Sequence, residues 1–201
     1  MKHLMSKTTY LLCIMLGLFF TTQALADNNG GSPDCNKIDD SYQQAICNFS
    51  KAKDTRKFFS NAYGYALFPT IGKGGFIVGG AYGDGHVYKS GRITGDTSLT
   101  QLSVGFQLGG QAYSEIIFFE NEDAYKKFTS GNFEFSAQAS AVAITIGANA
   151  QTSTTGNSAS AGKSAATASY VQGMATFTLA KGGLMYEAAL AGQKFTFDKR
   201  D

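Results

Sequence analysis

The sequence predicts a mainly β protein of the α+β kind: a curved antiparallel, barrel-like sheet with N-terminal helices and one short inserted helix. Three observations carry this. Beyond Gly64, apolar residues alternate with small or polar ones, as at Leu102, Val104, Phe106 and Leu108 against Ser103, Gly105 and Gln107, which is the period of a half-buried strand. Glycine is abundant, at 24 of 201 residues, and small residues on one face of a strand let backbones or a helix come close. Helical spacing is confined to two places, Ser41 to about Ala62 and the stretch after Asn121.

Residues 1–26 have the three parts of a secretory signal: Lys2 and Lys7 at the start, an apolar run from Tyr10 to Phe20, and Ala24-Leu25-Ala26 before the expected cut at Asp27. The apolar run is too short to span a bilayer, and no later segment offers about 18 uninterrupted apolar residues. Cys13 follows Leu12 rather than a small residue, so no lipid anchor is expected. Residues 27–40 read as a flexible, turn-rich leader, and residues 41–201 as a single β-rich domain. Export to the periplasm follows from the signal.

In the first helical region Tyr42, Ala45, Ile46, Phe49 and Ala52 recur at spacings of three and four, and Phe58, Phe59 and Ala62 resume the pattern after Asp54-Thr55, an N-cap pair for a second short helix. A strand Tyr65–Phe68 is expected to end at Pro69. A second, Phe76 to Tyr82, is expected to turn at Gly83-Asp84-Gly85 into His86–Tyr88, the chemistry of a tight hairpin. Glu115–Phe119, with Ile116, Ile117, Phe118 and Phe119 in a row, predicts a strand buried on both faces. Asn121 should cap a helix reaching about Thr129, with Glu122 and Asp123 where the helix dipole favours negative charge. From Asn132 to Ala180 only Glu134 and Lys163 are charged; this stretch reads either as low complexity or as small-residue strands. Alternation around Phe133–Ile146 and Val171–Leu179 favours strands at the flanks and leaves Gln151–Ser164 as a loop. Leu184–Leu190 and Lys194–Phe197 supply the last two strands, and the whole succession implies a meander closed or covered to protect its edges.

Removing the signal takes two of the 17 Lys+Arg and none of the 15 Asp+Glu, which leaves a charge near zero. Bulk attraction to nucleic acid or anionic lipid is therefore not expected, and any such attraction must come from a local cluster. It also leaves Cys35 and Cys47 as the only thiols. In an oxidising compartment such a pair usually forms a disulfide, and the loop it closes stabilises by roughly 3 kcal/mol on the chain-entropy estimate; two free cysteines are the competing reading.

Enzyme chemistry has little to build on. His86 is the one histidine past the signal, no cluster has metal-ligand spacing, and no Gly-x-Ser-x-Gly elbow occurs. Gly72-Lys73-Gly74-Gly75 lacks both the first glycine and the hydroxyl residue of a phosphate loop. It reads as a glycine-rich turn into a strand, with Lys73 available to a phosphate headgroup. No catalytic residue, metal or cofactor is expected.

The most informative cluster is Lys51, Lys53, Arg56 and Lys57, interrupted by Asp54 and flanked by Phe49, Phe58 and Phe59. Cations beside large rings on a helix suit an interfacial segment whose rings enter the acyl boundary while its charges meet anionic headgroups. The competing reading is a core-packed helix with an ordinary solvated basic face.

AYGYALFP at Ala62–Pro69, IGKGGFIVGGAYGDG at Ile71–Gly85, LSVGFQLGGQAYSEIIFF at Leu102–Phe119 and KGGLMYE at Lys181–Glu187 together resemble the SYLF-domain family, in order and spacing, over roughly Ser41 to Phe197. The resemblance implies a lipid-binding module: eukaryotic relatives bind phosphoinositides and some bind actin, bacterial relatives are typically exported, and an amphipathic segment before the domain core is associated with membrane binding. Phe49 to Phe59 occupies that place. The disulfide pair is not part of the motif.

The expectation is thus a periplasmic module that binds anionic phospholipid at a membrane surface through Phe49, Lys51, Lys53, Arg56, Lys57, Phe58, Phe59 and Lys73. The alternatives are an envelope structural or protein-interaction module and a small outer-membrane β-barrel.

Overall fold

The computed structural model describes residues 34–75, 78–104, 109–135, 144–146, 169–182 and 192–201. The expected signal, residues 27–33 of the leader, Phe106 and Leu108, the Gln151–Ser164 loop and the Leu184–Leu190 strand lie outside the described residues. Asp34–Asp201 forms one compact unit.

A 3-10 turn at Cys35–Lys37 precedes α1 (Ser41–Lys51) and α2 (Lys53–Asn61). Asp40 caps α1, its carboxylate accepting from the Gln43 N–H at 2.7 Å. The break falls at Ala52, whose extended backbone ends α1 and begins α2 without a side-chain cap. Asp54-Thr55 is therefore not the N-cap. Thr55 is instead buried in the first turn of α2, where its hydroxyl donates to the carbonyls of Phe49 and Ala52 and pins one helix to the other.

The strands are β1 (Gly64–Gly75), β2 (Val78–Lys89), β3 (Arg92–Val104), β4 (Gly109–Phe119), β5 (Phe133–Glu134), β6 (Ile144–Ile146), β7 (Met174–Gly182), β8 (Gln193–Phe195) and β9 (Asp198–Lys199), with α3 (Glu122–Phe128) after β4. They form one curled half-barrel sheet in the order β5-β8-β3-β2-β1-β4-β7-β6, with β9 also on β3. The ladders are antiparallel except β6 on β7, which is parallel. The chain is not the simple meander expected: β4 returns beside β1 rather than β3. A strand apolar on both faces needs cover on both sides, and the centre of the sheet provides it.

Three local expectations are corrected by β1 and β2. Pro69 does not end its strand; β1 runs through it, with register shifts between Leu67 and Gly72 against β2 and between Phe68 and Ile71 against β4. A bulge removes proline from the ladder that its missing N–H cannot serve, and Ser114 Oγ donates to the Pro69 carbonyl at 2.7 Å. Gly83-Asp84-Gly85 is not a hairpin turn but mid-strand, paired with Leu99, Ser98 and Thr97. A Cβ at Gly83 would lie 2.8 Å from the Thr70 carbonyl oxygen, and one at Gly85 2.6 Å from that of Leu67. These glycines admit the bulged backbone of β1, and the true hairpin is Ser90-Gly91, both at positive φ. Gly72-Lys73-Gly74-Gly75, likewise, is not a turn but the end of β1.

Two cores result. Inside the curl, Ala66, Phe68, Ile71, Val87, Leu99, Ile117 and Phe119 pack under α3 through Ala124 and Phe128, with Phe133, Phe135 and Phe195; Asn121 caps α3 as expected, accepting from the Ala124 N–H at 3.0 Å. On the opposite face Leu67, Tyr88, Ile116, Phe118, Ala175 and Phe177 pack under α1 and α2 through Ala45, Phe49 and Phe58. The outer strand face is thus occupied by helices at this end, which leaves no lipid-facing belt there for an outer-membrane barrel.

Candidate functional site: the basic face of the helix pair

The helical period sorts the residues of the predicted site into two sets. Thr55 and Phe58, at i and i+3, point into the protein, while Lys53, Arg56 and Lys57 are exposed, as is Lys51 at the end of α1. Four cations therefore share the solvent side of two adjoining short helices, tempered by the half-buried Asp54. Lys57 Nζ lies over the Phe58 ring, 4.9 Å from its centroid, while the residue as a whole is exposed.

The rings are placed otherwise than the interfacial reading requires. Phe49 is 0% and Phe58 3% exposed. Phe58 sits among Phe118, Tyr170 and Phe177 with centroids 5.0–5.5 Å away, and the partly buried Phe59 stands edge-on to Phe118 at 4.9 Å and to Tyr65 at 5.7 Å. These side chains have an apolar sheet face within reach, and burying them there removes more apolar surface from water than a headgroup layer would. Phe49 and Phe58 are core residues, and membrane insertion through them is set aside. Lys73 also departs from expectation. It is 8% exposed on the inner side of β1, opposite Ala81 and Gln111, and is not a loop cation on the helix side.

Cys35 and Cys47 are bonded, with their Cα atoms 5.7 Å apart. The bridge ties the 3-10 turn to the middle of α1 and so fixes the entry to the helix pair.

Two polar groups escaped sequence reasoning. His86, on the outer face of β2, stacks under Tyr42 of α1, and its Nδ1 lies 2.8 Å from Asp96 Oδ1. Arg200 holds the same carboxylate, with Nη2 at 2.7 Å and Nε at 2.8 Å, and its hydrogen bond keeps the Asp96 acid below the usual carboxylate range. Burial, then the charges of Asp84 and Asp96, push the Tyr42 phenol up. These contacts join residues far apart in sequence, which no local pattern announces. Glu115 is buried on the inner face of β4, and desolvation raises its carboxyl to about 8 against the opposing hydrogen bond from Gln193. Its place in alternation with Ile117 and Phe119 was the available signal. Among the described residues no group of three or more His, Cys, Asp or Glu side chains could hold a metal ion, and no helix is long and apolar enough to cross a membrane.

The family model described as Ysc84, Las17-binding protein actin regulator, matches residues 100–201, from the middle of β3 onward. Among curated proteins, Beta cell expansion factor A of Aeromonas veronii is 27% identical over 156 residues, covering 75% of this chain and 52% of that protein. The chain thus spans about half the length of this relative. The helix pair, β1 and β2 precede the family match, so the basic face is a feature of the chain outside the matched part. With half of its length matched and its strand-rich half-barrel in place, the chain belongs to the Ysc84 (SYLF) family.

Proposed function

We propose that this protein is a non-catalytic, periplasmic module that binds anionic phospholipid peripherally, through charge and without insertion. The observation that supports it most is the exposed set Lys51, Lys53, Arg56 and Lys57, which concentrates positive charge on a chain whose total past residue 26 is near zero, with the neighbouring rings Phe49 and Phe58 committed to the core. Each cation near an anionic leaflet is worth about 1 kcal/mol, so four give on the order of 4 kcal/mol, a reversible and salt-sensitive attachment. The half-barrel acts as a rigid base holding the helix pair at the membrane. Family membership supports a binding module whose partner is a membrane or a protein.

Co-sedimentation with vesicles containing phosphatidylglycerol tests it. Wild type is expected to pellet at low salt, and the variant with Lys51, Lys53, Arg56 and Lys57 changed to Glu is expected to stay in solution. Equal pelleting of the two rejects the site.

A second reading, an envelope protein-interaction module, is favoured by one observation. On the outer face of the sheet beyond the helices, Leu102 is 83% exposed opposite Gly80, with Tyr82 diagonal to it. One envelope protein recovered stoichiometrically in pull-downs, together with no vesicle binding, is the result that favours it.

A further inference from the structure

The lipid-binding reading makes no use of the inside of the half-barrel, yet a carboxyl is sealed there. Glu115 is 0% exposed. It projects from β4 toward β8, strands separated in the sheet by β1, β2 and β3. Nevertheless Gln193 Nε2 donates to Glu115 Oε2 at 3.1 Å. The curl of the sheet brings the two together, and their bond spans the interior as a strut between strands that share no ladder. It is an incompletely satisfied strut: Glu115 Oε1 and Gln193 Oε1 each lack a hydrogen-bond partner.

Among the described residues no cation faces the Glu115 carboxyl. On its own strand the inward neighbours are Tyr113 and Ile117, with Gln111 beyond Tyr113. On β1 it faces Phe68, and the one charged residue of that strand, Lys73, sits further along, opposite Gln111. On β7 it faces Thr178, with Lys181 exposed near the strand end. On β8 it meets Gln193, whose neighbour Lys194 is exposed and paired with Glu134; on β3 the inward polar groups are Thr97 and Gln101. Tyr113 is itself buried, and the nearby acid helps push its phenol up.

We propose that the Glu115–Gln193 contact is a proton-held closure: the neutral acid keeps β4 and β8 together across the interior, and loss of its proton opens that side of the half-barrel to water. A buried carboxylate with one hydrogen bond and, among the described residues, no facing cation is strongly disfavoured, and admitting water between β4 and β8 relieves it while the ladders of the sheet stay intact. Opening also wets the polar inner lining of Lys73, Gln101 and Gln111. The linkage has a definite sign. Folded Glu115 holds its proton to about 8, against 4.5 for the unperturbed group, so the closed state binds the extra proton. Closure is complete below the lower value and weakens as pH rises through the higher one.

The test is a titration of the full chain from pH 6 to 9.5, following dye binding to exposed apolar surface, near-ultraviolet dichroism of the tyrosines and far-ultraviolet dichroism. Wild type is expected to show a reversible, several-fold rise in dye binding centred near pH 8 with the far-ultraviolet signal unchanged. Glu115→Gln, of the same shape but uncharged, is expected to show none. Gln193→Leu removes the partner of the strut, so it is expected to bind dye already at pH values where the wild type is closed; a variant that stays closed as far up the titration as the wild type counts against the closure. Carbon-13 titration of the Glu115 side-chain carboxyl in the wild type decides the matter even if a variant fails to fold. A midpoint below pH 6, no transition in the wild type, or an identical transition in Glu115→Gln overturns the proposal.

Discussion

The ring of Tyr42 lies flat on the ring of His86, centroids 4.0 Å apart and planes 8° from parallel. Tyr42 belongs to the first turn of α1 and His86 to the middle of β2, so the stack is a direct tie between the helix pair and the sheet. The tie continues through Asp96 on β3 to Arg200 at the C-terminal end. One line of contacts therefore joins the segment that bears the basic face to three separate parts of the half-barrel.

Tyr42→Ala is expected to destabilise the protein by about 1–2 kcal/mol, the worth of a stacked pair plus part of the buried ring area. Arg200→Ala should cost less, because both partners of that ion pair are half exposed and screened. Urea unfolding of the two variants checks the order. A larger loss in Arg200→Ala contradicts the account of the tie.

Two pairs of glycines in adjacent strands should behave oppositely. At Gly83 and Gly85 a Cβ would stand 2.6–2.8 Å from backbone oxygens and ring or chain atoms of β1, so either change to Ala is expected to cost several kcal/mol through strain. Gly72 and Gly74 have nothing within 4 Å of the same position, and Ala there should be neutral or stabilise by up to about 1 kcal/mol. Thermal melts of the four single variants suffice. Equal losses at all four sites mean the bulge does not press on β2 as described.

Reducing the Cys35–Cys47 bridge, or changing both residues to Ser, is expected to lower stability by roughly 3 kcal/mol and to lower the melting temperature. The cations lie outside the closed loop, so vesicle binding by the folded fraction should persist. Calorimetry with and without reductant measures the first, and co-sedimentation at low temperature the second.

Phe58→Ala separates packing from docking. It empties a site among Phe118, Tyr170 and Phe177 and is expected to cost about 3–5 kcal/mol. All four cations are left in place, so the protein that remains folded should bind vesicles as the wild type does. Unchanged stability combined with lost binding restores the inserting-ring mechanism that the buried position of Phe58 argues against.

How much of this was legible in the residues follows the range of the interactions. The double-sided apolar run Ile116–Phe119 and the Asn121 cap are local patterns, and each names its element correctly; of the alternating run Leu102–Leu108, Leu102 to Val104 lie in β3 with Leu102 exposed, and residues 105–108 lie outside the described residues. The helix pair was visible too, though not its break at Ala52, which no capping side chain marks. Gly83-Asp84-Gly85 has turn chemistry but serves a bulge in a neighbouring strand; the constraint comes from Pro69, fourteen residues earlier, and composition cannot show it. The same limit applied to the site. Helical spacing separates Lys53, Arg56 and Lys57 from Phe58, but only the sheet shows that Phe58 and Phe49 have an apolar surface to bury against. Tyr42, His86, Asp96 and Arg200 come together through topology alone.

The claim that charge on the helix pair, and not ring insertion, holds this protein to lipid is tested most directly by vesicle binding across a salt series. Wild type and the fourfold Glu variant are compared on phosphatidylglycerol vesicles and on neutral phosphatidylcholine vesicles, from about 20 mM to 500 mM salt, a range over which the screening length shrinks several-fold. The account predicts wild-type binding to the anionic vesicles alone, weakening at least tenfold across the series, and none by the variant. Binding that is indifferent to salt, or that survives reversal of all four charges, contradicts it.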